Sequence, residues 1–178
     1  AYFAAKARLF TMFAGPPDQS AAWSDSGAEG SFRFLRRLWS AGVRVQPVLL
    51  AAATSFEGLT APAATLRRDV HLLLRQVSHD FERMQYNTVV SGAMKMLNAI
   101  DDAKLGAHAA DAAALQEAVG ILLRTLYPAA PHITHVLWQE LGFVARHGEI
   151  IQAPWPVVDE DALLQDEIEL VLQVSGKL

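Results

Sequence analysis

The chain of 178 residues contains no cysteine. That excludes a disulfide scaffold, a thiolate nucleophile and any Cys-ligated zinc or iron–sulfur centre. It also lacks a glycine-rich phosphate loop, since its 11 glycines are scattered rather than grouped at a strand–helix turn. No serine sits in a Gly-x-Ser-x-Gly elbow or a Ser-x-x-Lys pair, the usual settings of an activated hydroxyl. Long apolar runs are missing too. The uncharged stretch Val45–Phe56 is short and broken by Pro47, so it does not span a bilayer. There is no basic-then-apolar leader and no transit-peptide composition, which leads to the expectation of a cytoplasmic protein with no membrane partner. What is abundant is apolar character, 52% of residues. That excludes intrinsic disorder and suits one domain whose core buries about 70% of the unfolded surface.

The formal charge of −4 speaks against nucleic acid only until it is divided. Residues 1–100 hold 11 Lys or Arg against 7 Asp or Glu, a balance of +4, and residues 101–178 hold 4 against 12, a balance of −8. The basic residues concentrate in two stretches, Arg33, Arg36 and Arg37, then Arg67, Arg68, Arg75 and Arg83. Spaced three, four and seven apart on helices, several share an outward face able to track phosphates. The plain alternative is ordinary solubilising arginine.

Helical periodicity accounts for most of the chain. A first helix, 2–14, is ended by Pro16-Pro17, because proline has no amide donor and clashes with the preceding turn. Ser26-Gly27-Ala28-Glu29 fits a capping box for a helix running to Ala41 and closed by Gly42. Residues 43–61 read as a linker with loose turns. The clearest amphipathic pattern is 63–85, where Leu66, Val70, Leu73, Leu74, Val77, Phe81 and Met84 share one stripe. Arg68, His71, Arg75, His79 and Glu82 fall on the opposite face at about 100° per residue. Further helices are predicted to about 103, over 112–127, and from Pro131 to Gly142. A loop holding Pro154-Trp155-Pro156 and a short turn at 159–165 follow. Ile168–Val174 alternates apolar and polar residues, the period of a β-strand. The expected fold is mainly α, an antiparallel helical bundle with a short C-terminal strand. The abrupt helical start at Ala1 and the unpaired strand at the far end suggest a piece of a longer protein.

Catalytic constellations are weak. His79-Asp80 suggests a metal-dependent phosphohydrolase, but its upstream partner would be His71, two turns away on the same face, so hydrated helix surface is the better reading. His132 and His135, at i and i+3, lack a well-placed third ligand. No metal site and no catalytic residue are assigned. Asp159, Glu160, Asp161, Asp166, Glu167 and Glu169 read as a solvated charge run. Trp23, Trp39, Trp138 and Trp155 each lie beside apolar residues and are expected as core anchors.

Several strings together resemble one family. Arg8–Pro17 (Arg-Leu-Phe-Thr-Met-Phe-Ala-Gly-Pro-Pro), Trp23–Gly30 (Trp-Ser-Asp-Ser-Gly-Ala-Glu-Gly) and Arg33–Trp39 (Arg-Phe-Leu-Arg-Arg-Leu-Trp) are similar to the bacterial leucyl-tRNA synthetases after their Lys-Met-Ser-Lys-Ser loop. Leu66–His71, Phe81–Thr88, Leu126–Ile133 and Leu137–Leu141 resemble the same family's anticodon-binding helical domain. Ala153–Pro156 and Val171–Lys177 resemble its entry into a C-terminal domain. Two departures are visible: Phe3-Ala4-Ala5-Lys6 stand where the family has Gly-Ala-Asp-Thr, and Ser175 stands where Asn is usual.

The resemblance implies a division into stem-contact helices at 1–41, a linker at 42–61, an anticodon-binding-type bundle at 62–142 and a connection at 143–178. The bundle type is that of class I aminoacyl-tRNA synthetases. It further implies a parent enzyme that ligates leucine to tRNA with ATP and magnesium. The family's His-Ile-Gly-His and Lys-Met-Ser-Lys-Ser motifs are not in this sequence, so the piece by itself is expected to be inactive and to hold no cofactor. Its expected partners are leucine tRNA, met through a basic face, and the catalytic and C-terminal domains of the same polypeptide. The residues expected at phosphates are Arg33, Arg36, Arg37, Arg68 and Arg75, with His71 and His79 as helpers, in contacts that position without reading sequence. The competing expectation is a purely structural bundle that braces its neighbours and touches no tRNA.

Overall fold

The computed structural model describes residues 2–51, 55–105 and 108–164. Every regular element among them is helical. The predicted strand Ile168–Val174 lies outside the described residues.

Helix α1 spans Tyr2–Phe13, and α2 spans Asp25–Leu50. The cap of α2 is Ser24 rather than Ser26: the Ser24 Oγ accepts the Gly27 amide at 3.1 Å, satisfying one of the unpaired donors of the first turn. Glu29, expected to complete a capping box, instead pairs with Lys6 at 3.2 Å and ties α2 to α1. The helix does not close at Gly42. A side chain there would come within 2.6 Å of the Leu137 Cδ2, so this glycine permits a close crossing of two helices. The expected linker is therefore largely the second half of α2. Pro47 is tolerated inside it because both Pro47 and Val43, four residues back, are exposed, where water can take the carbonyl that proline leaves without a donor.

Helices α3 (Ala61–Glu82) and α4 (Tyr86–Asp102) are joined by only three residues, which makes them antiparallel neighbours. Gly92 lets them close on one another, since a Cβ there would lie 2.2 Å from the Val77 Cγ2. The turn between them is a Schellman motif: the Gln85 amide reaches the Asp80 carbonyl at 2.8 Å and the Met84 amide reaches Phe81 at 3.0 Å. Met84 takes the left-handed position with φ 57°, so it leaves the core stripe in which it was expected and is exposed.

Helix α5 (Ala109–Leu126) begins three residues earlier than its periodicity indicated. The reason is Asp111, which is buried and accepts both the amide of Thr60 at 3.1 Å and its hydroxyl at 2.9 Å. Thr60 is the cap of α3, so this carboxylate fastens the start of α3 to α5. Pro128 follows α5, and Pro131 opens α6 (Pro131–Glu140), a position where its missing amide costs nothing. Gly142, with φ 78°, ends α6 as expected. The Phe143 amide bonds the Trp138 carbonyl and the two rings stack at 4.6 Å, the apolar contact that accompanies this kind of cap. A single turn, α7 (Val144–His147), and a 3₁₀ turn, Asp161–Leu163, complete the described chain.

Helices α3, α4 and α5 pack on one another, and α2 packs on α4, α5 and α6, with α1 against α2 and α4. The α4–α5 pair thus lies between α2 on one side and α3 on the other. Leu38 and Leu49 of α2, Leu66 and Leu74 of α3, Met96 of α4 and Leu122 of α5 meet in one core. Of the four tryptophans, Trp138 is fully buried and Trp155 half-buried, as core anchors should be. Trp23 and Trp39 are not core residues: they are 54% and 42% exposed.

The segment from Pro154 to Leu163 is not a free loop. It lies along α3 in the reverse direction, with Trp155 stacked on Phe81 at 4.5 Å and donating its indole N–H to the Ser78 hydroxyl at 2.9 Å. The Asp159 amide then donates to the His71 Nδ1 at 3.1 Å. This crossing covers a face of α3 that the sequence pattern assigned to solvent.

Candidate nucleic-acid interface

The α3 cations are largely engaged by acidic residues from elsewhere in the chain. Arg67 is buried; its guanidinium grips Glu117 of α5 at 2.6 and 3.3 Å, bonds Asp159 and lies over the Phe56 ring at 4.0 Å. His71, expected as a phosphate helper, is only 2% exposed. Its Nδ1 accepts the Asp159 amide, which places the ring proton on Nε2, and Nε2 lies 3.2 Å from Glu117 without straight hydrogen-bond alignment. Folded this way it reaches no phosphate, and the expectation for His71 is corrected. Arg75 pairs with Glu160 at 2.5 Å, and Arg68 stands 3.8 Å from Asp69. His79 is exposed in the last turn of α3.

The electrostatics of this cluster are self-consistent. Burial raises the Glu117 carboxyl, but the adjoining His71 and Arg67 outweigh it and hold Glu117 below the ordinary carboxylate value. Asp159 is held low chiefly by Arg67, against a smaller opposing effect of burial. Arg67 is raised: burial disfavours its charge, yet Glu117 and Asp159 more than compensate. The carboxylates Asp159 and Glu160, read from sequence as a solvated run, are therefore counterions to α3.

Helix α2 is different. At about 100° per residue, Arg33, Arg37 and Arg44 fall within about 40° of one another, on the side opposite the buried Leu35, Leu38 and Leu49. Arg36 stands about 60° further round, beside the Phe32 ring at 5.9 Å. Arg33 has no ion-pair partner among the described residues. Arg37 and Arg44 share one carboxylate, Asp101, at 2.6 and 2.5 Å, so the trio keeps a net positive charge. Burial alone would raise Asp101, but the two guanidiniums, Arg44 and Arg37, hold it below its ordinary value. Arg44 was not among the expected site residues, because the helix that carries it was expected to stop at Ala41. The two arginine sets lie on helices separated by the α4–α5 pair, and α2 presents the row with the least internal compensation.

Among the described residues no group of three or more His, Asp or Glu side chains is arranged to hold a metal ion. His135 lies 3.8 Å from Glu149, and His132 is exposed beside it. Among the described residues no helix is long and apolar enough to cross a membrane.

The family described as the anticodon-binding domain of tRNA ligase matches residues 64–178. The chain belongs to that family. Over nearly its whole length it is also similar to leucine–tRNA ligases, as its motifs implied. It is 70% identical over 172 residues to that of Methylibium petroleiphilum, covering 97% of this chain and 19% of the relative. To that of Leptothrix cholodnii it is 57% identical over 176 residues, covering 99% and 20%. The chain thus spans about one fifth of the length of the curated relatives it matches. The fold matches that of the agnB2 LeuRS of Agrobacterium radiobacter K84, solved as a ternary complex with tRNA and LeuAMS. The TM-score is 0.75 at 23% identity, covering 90% of this chain and 20% of that one.

Proposed function

We propose that this chain is the tRNA-docking part of a leucine–tRNA ligase. It holds the tRNA backbone through phosphate and sugar contacts and contributes no catalytic group. In this reading the whole protein is cytoplasmic and joins leucine to leucine tRNA with ATP and magnesium, which are handled by parts of the polypeptide other than this chain. The stem-contact helices of the family extend here through α2 to Leu50, residues 62–142 form the bundle, and 143–178 lead towards a C-terminal domain. The observation that carries the reading is the row Arg33, Arg37 and Arg44 with Arg36 beside it, cations with one carboxylate among them in a chain of this family. Arg68, Arg75 and His79 form a weaker second set, since Glu160 already engages Arg75.

Filter binding of tRNA to the 178-residue chain, from about 20 to 200 mM salt, tests the reading. Affinity should fall steeply with salt as counterions are released. The double change Arg33→Ala with Arg36→Ala should lower the logarithmic salt slope by about two, roughly one for each phosphate no longer neutralised. A bundle that only braces its neighbours predicts no tRNA binding even at low salt, or binding that salt does not touch.

A further inference from the structure

Beyond Arg36, further round α2 from the arginine row, the surface holds a largely apolar groove. Trp39, Val43 and Gln46 of α2 face Leu137, Glu140 and Leu141 of α6 across a groove of about 280 Å³, with Gly42 at its floor. Trp39 and Val43 are both exposed there, at 42% and 55%. Round the helix, the order is Arg33, Arg37 and Arg44, then Arg36, then Val43 and Trp39. Arg36 therefore borders the apolar slot, with the arginine row further round the same helix.

We infer that this groove takes one unpaired nucleobase of bound RNA, stacked on the Trp39 indole while Arg36 holds a flanking phosphate and the row beyond it meets phosphates further along the strand. The inference rests on the docking reading above and deepens it by naming the part of the RNA that is engaged. Charge complementarity selects the occupant. A ligand that meets one cation at the edge of an apolar aromatic slot and further cations round the same helix must carry flat apolar groups on a polyanionic chain. Nucleic acid is built this way, whereas a protein partner would need acidic and aromatic residues in the same alternation. A duplex hides its base faces, so the slot fits a base that is out of the helical stack. Aromatic side chains beside a positively charged groove are the general device for holding such bases. The volume is just below that of pockets for drug-sized ligands, about 300–1,000 Å³, and suits one planar ring system.

The groove also has polar groups for a base edge. Gln46 donates one amide hydrogen to the Glu140 backbone carbonyl at 2.9 Å, leaving its side-chain oxygen and second hydrogen at the rim. The Glu140 carboxylate is exposed and has no ion-pair partner among the described residues, so it can accept from an exocyclic amine. Repelling phosphate, it also keeps the backbone on the arginine side of the slot.

The test uses the 178-residue chain, labelled hexariboadenylate and a blunt mixed-sequence RNA duplex, with anisotropy and tryptophan fluorescence as readouts. Trp39→Ala should weaken hexamer binding about tenfold and leave its salt slope unchanged. Trp39→Phe should restore most of the affinity while abolishing the fluorescence quenching that the hexamer causes in the parent chain. Arg33→Ala should instead reduce the slope by about one. Duplex binding should be indifferent to Trp39. Circular dichroism of each variant confirms folding, which a surface position should not disturb. Hexamer affinity unchanged in Trp39→Ala, alongside intact salt-dependent tRNA binding, overturns the stacking site and leaves the docking reading standing. No tRNA binding by the parent chain at low salt removes both. Concentration-dependent self-association abolished in Trp39→Ala, with no effect on RNA, assigns the groove to a protein contact and overturns the inference.

Discussion

Replacing Arg67 with methionine should destabilise the chain by about 3 kcal/mol at neutral pH. The substitution keeps an unbranched apolar stem over Phe56 but removes the guanidinium that holds Glu117 at 2.6 and 3.3 Å and also bonds Asp159. Breaking a buried ion pair from one side costs about 3–5 kcal/mol, because the remaining charge stays desolvated and unpaired. The lower end applies here: the Glu117 side chain retains 22% exposure and has His71 beside it at 3.2 Å. Asp159, at 40% exposure, adds no more than a surface pair, under about 1 kcal/mol. For a chain of this length the midpoint of thermal unfolding should drop by about 6–12 °C. The pH dependence gives a sharper check. In the parent chain Glu117 is held below its ordinary value of 4.5. Its contribution is therefore complete above that value and is lost as pH falls through the lowered one. Without Arg67, one of the two groups that offset burial is gone, so Glu117 takes up a proton at higher pH than in the parent chain, which relieves the unpaired charge. The stability gap between the two proteins should then narrow from pH 7 to about pH 4. Urea unfolding at both pH values, with equal m-values, measures this. A loss under about 1 kcal/mol, or a gap that does not narrow, would refute the assignment of Arg67 as a buried counterion.

Three other outcomes follow from local geometry. Gly92→Ala should destabilise by about 1–3 kcal/mol despite the better helix propensity of alanine, because the new methyl meets the stiff, β-branched Val77 at 2.2 Å; chemical denaturation measures it. Met84→Gly should stabilise by about 0.5–1 kcal/mol, since Met84 is exposed and sits at φ 57°, where a side chain is strained; a higher thermal midpoint is the sign. Asp101→Asn should free Arg37 and Arg44, tightening tRNA binding and steepening its salt dependence, at a stability cost under about 1 kcal/mol that vanishes in acid as the parent carboxylate protonates.

The helices are legible in the sequence because their signals are local. Pro16-Pro17, Pro128 and Pro131 punctuate the chain wherever the backbone lacks a donor, and the stripe Leu66, Val70, Leu74 and Val77 repeats at the helical period and is buried. The α2 arginines are legible for the same reason, as charges spaced along one turn and the next. Gly42 misleads because a glycine that ends a helix and a glycine that admits a neighbouring one are the same letter. Only Leu137, 95 positions later and 2.6 Å from the absent Cβ, distinguishes them. Arg44 is hidden by the same ambiguity, since it lies beyond the apparent helix end. His71 falls on an outer face by pattern because one helix considered alone has one buried stripe.

The sequence by itself determined that the chain is a cysteine-free helical protein with a basic first half, and its ordered motifs pointed to the leucine–tRNA ligases. Those properties are written in composition, in periodicity and in residue order. Only the tertiary structure decided which charges remain available. Asp159 and Glu160 fold back more than 80 positions onto Arg67, His71 and Arg75, while Arg33 and Arg36 on α2 acquire no such counterion among the described residues. Charge pairing at a few ångströms is set by which segments lie side by side. A one-dimensional pattern records how many charges there are and on which helix, but not what comes to cover them.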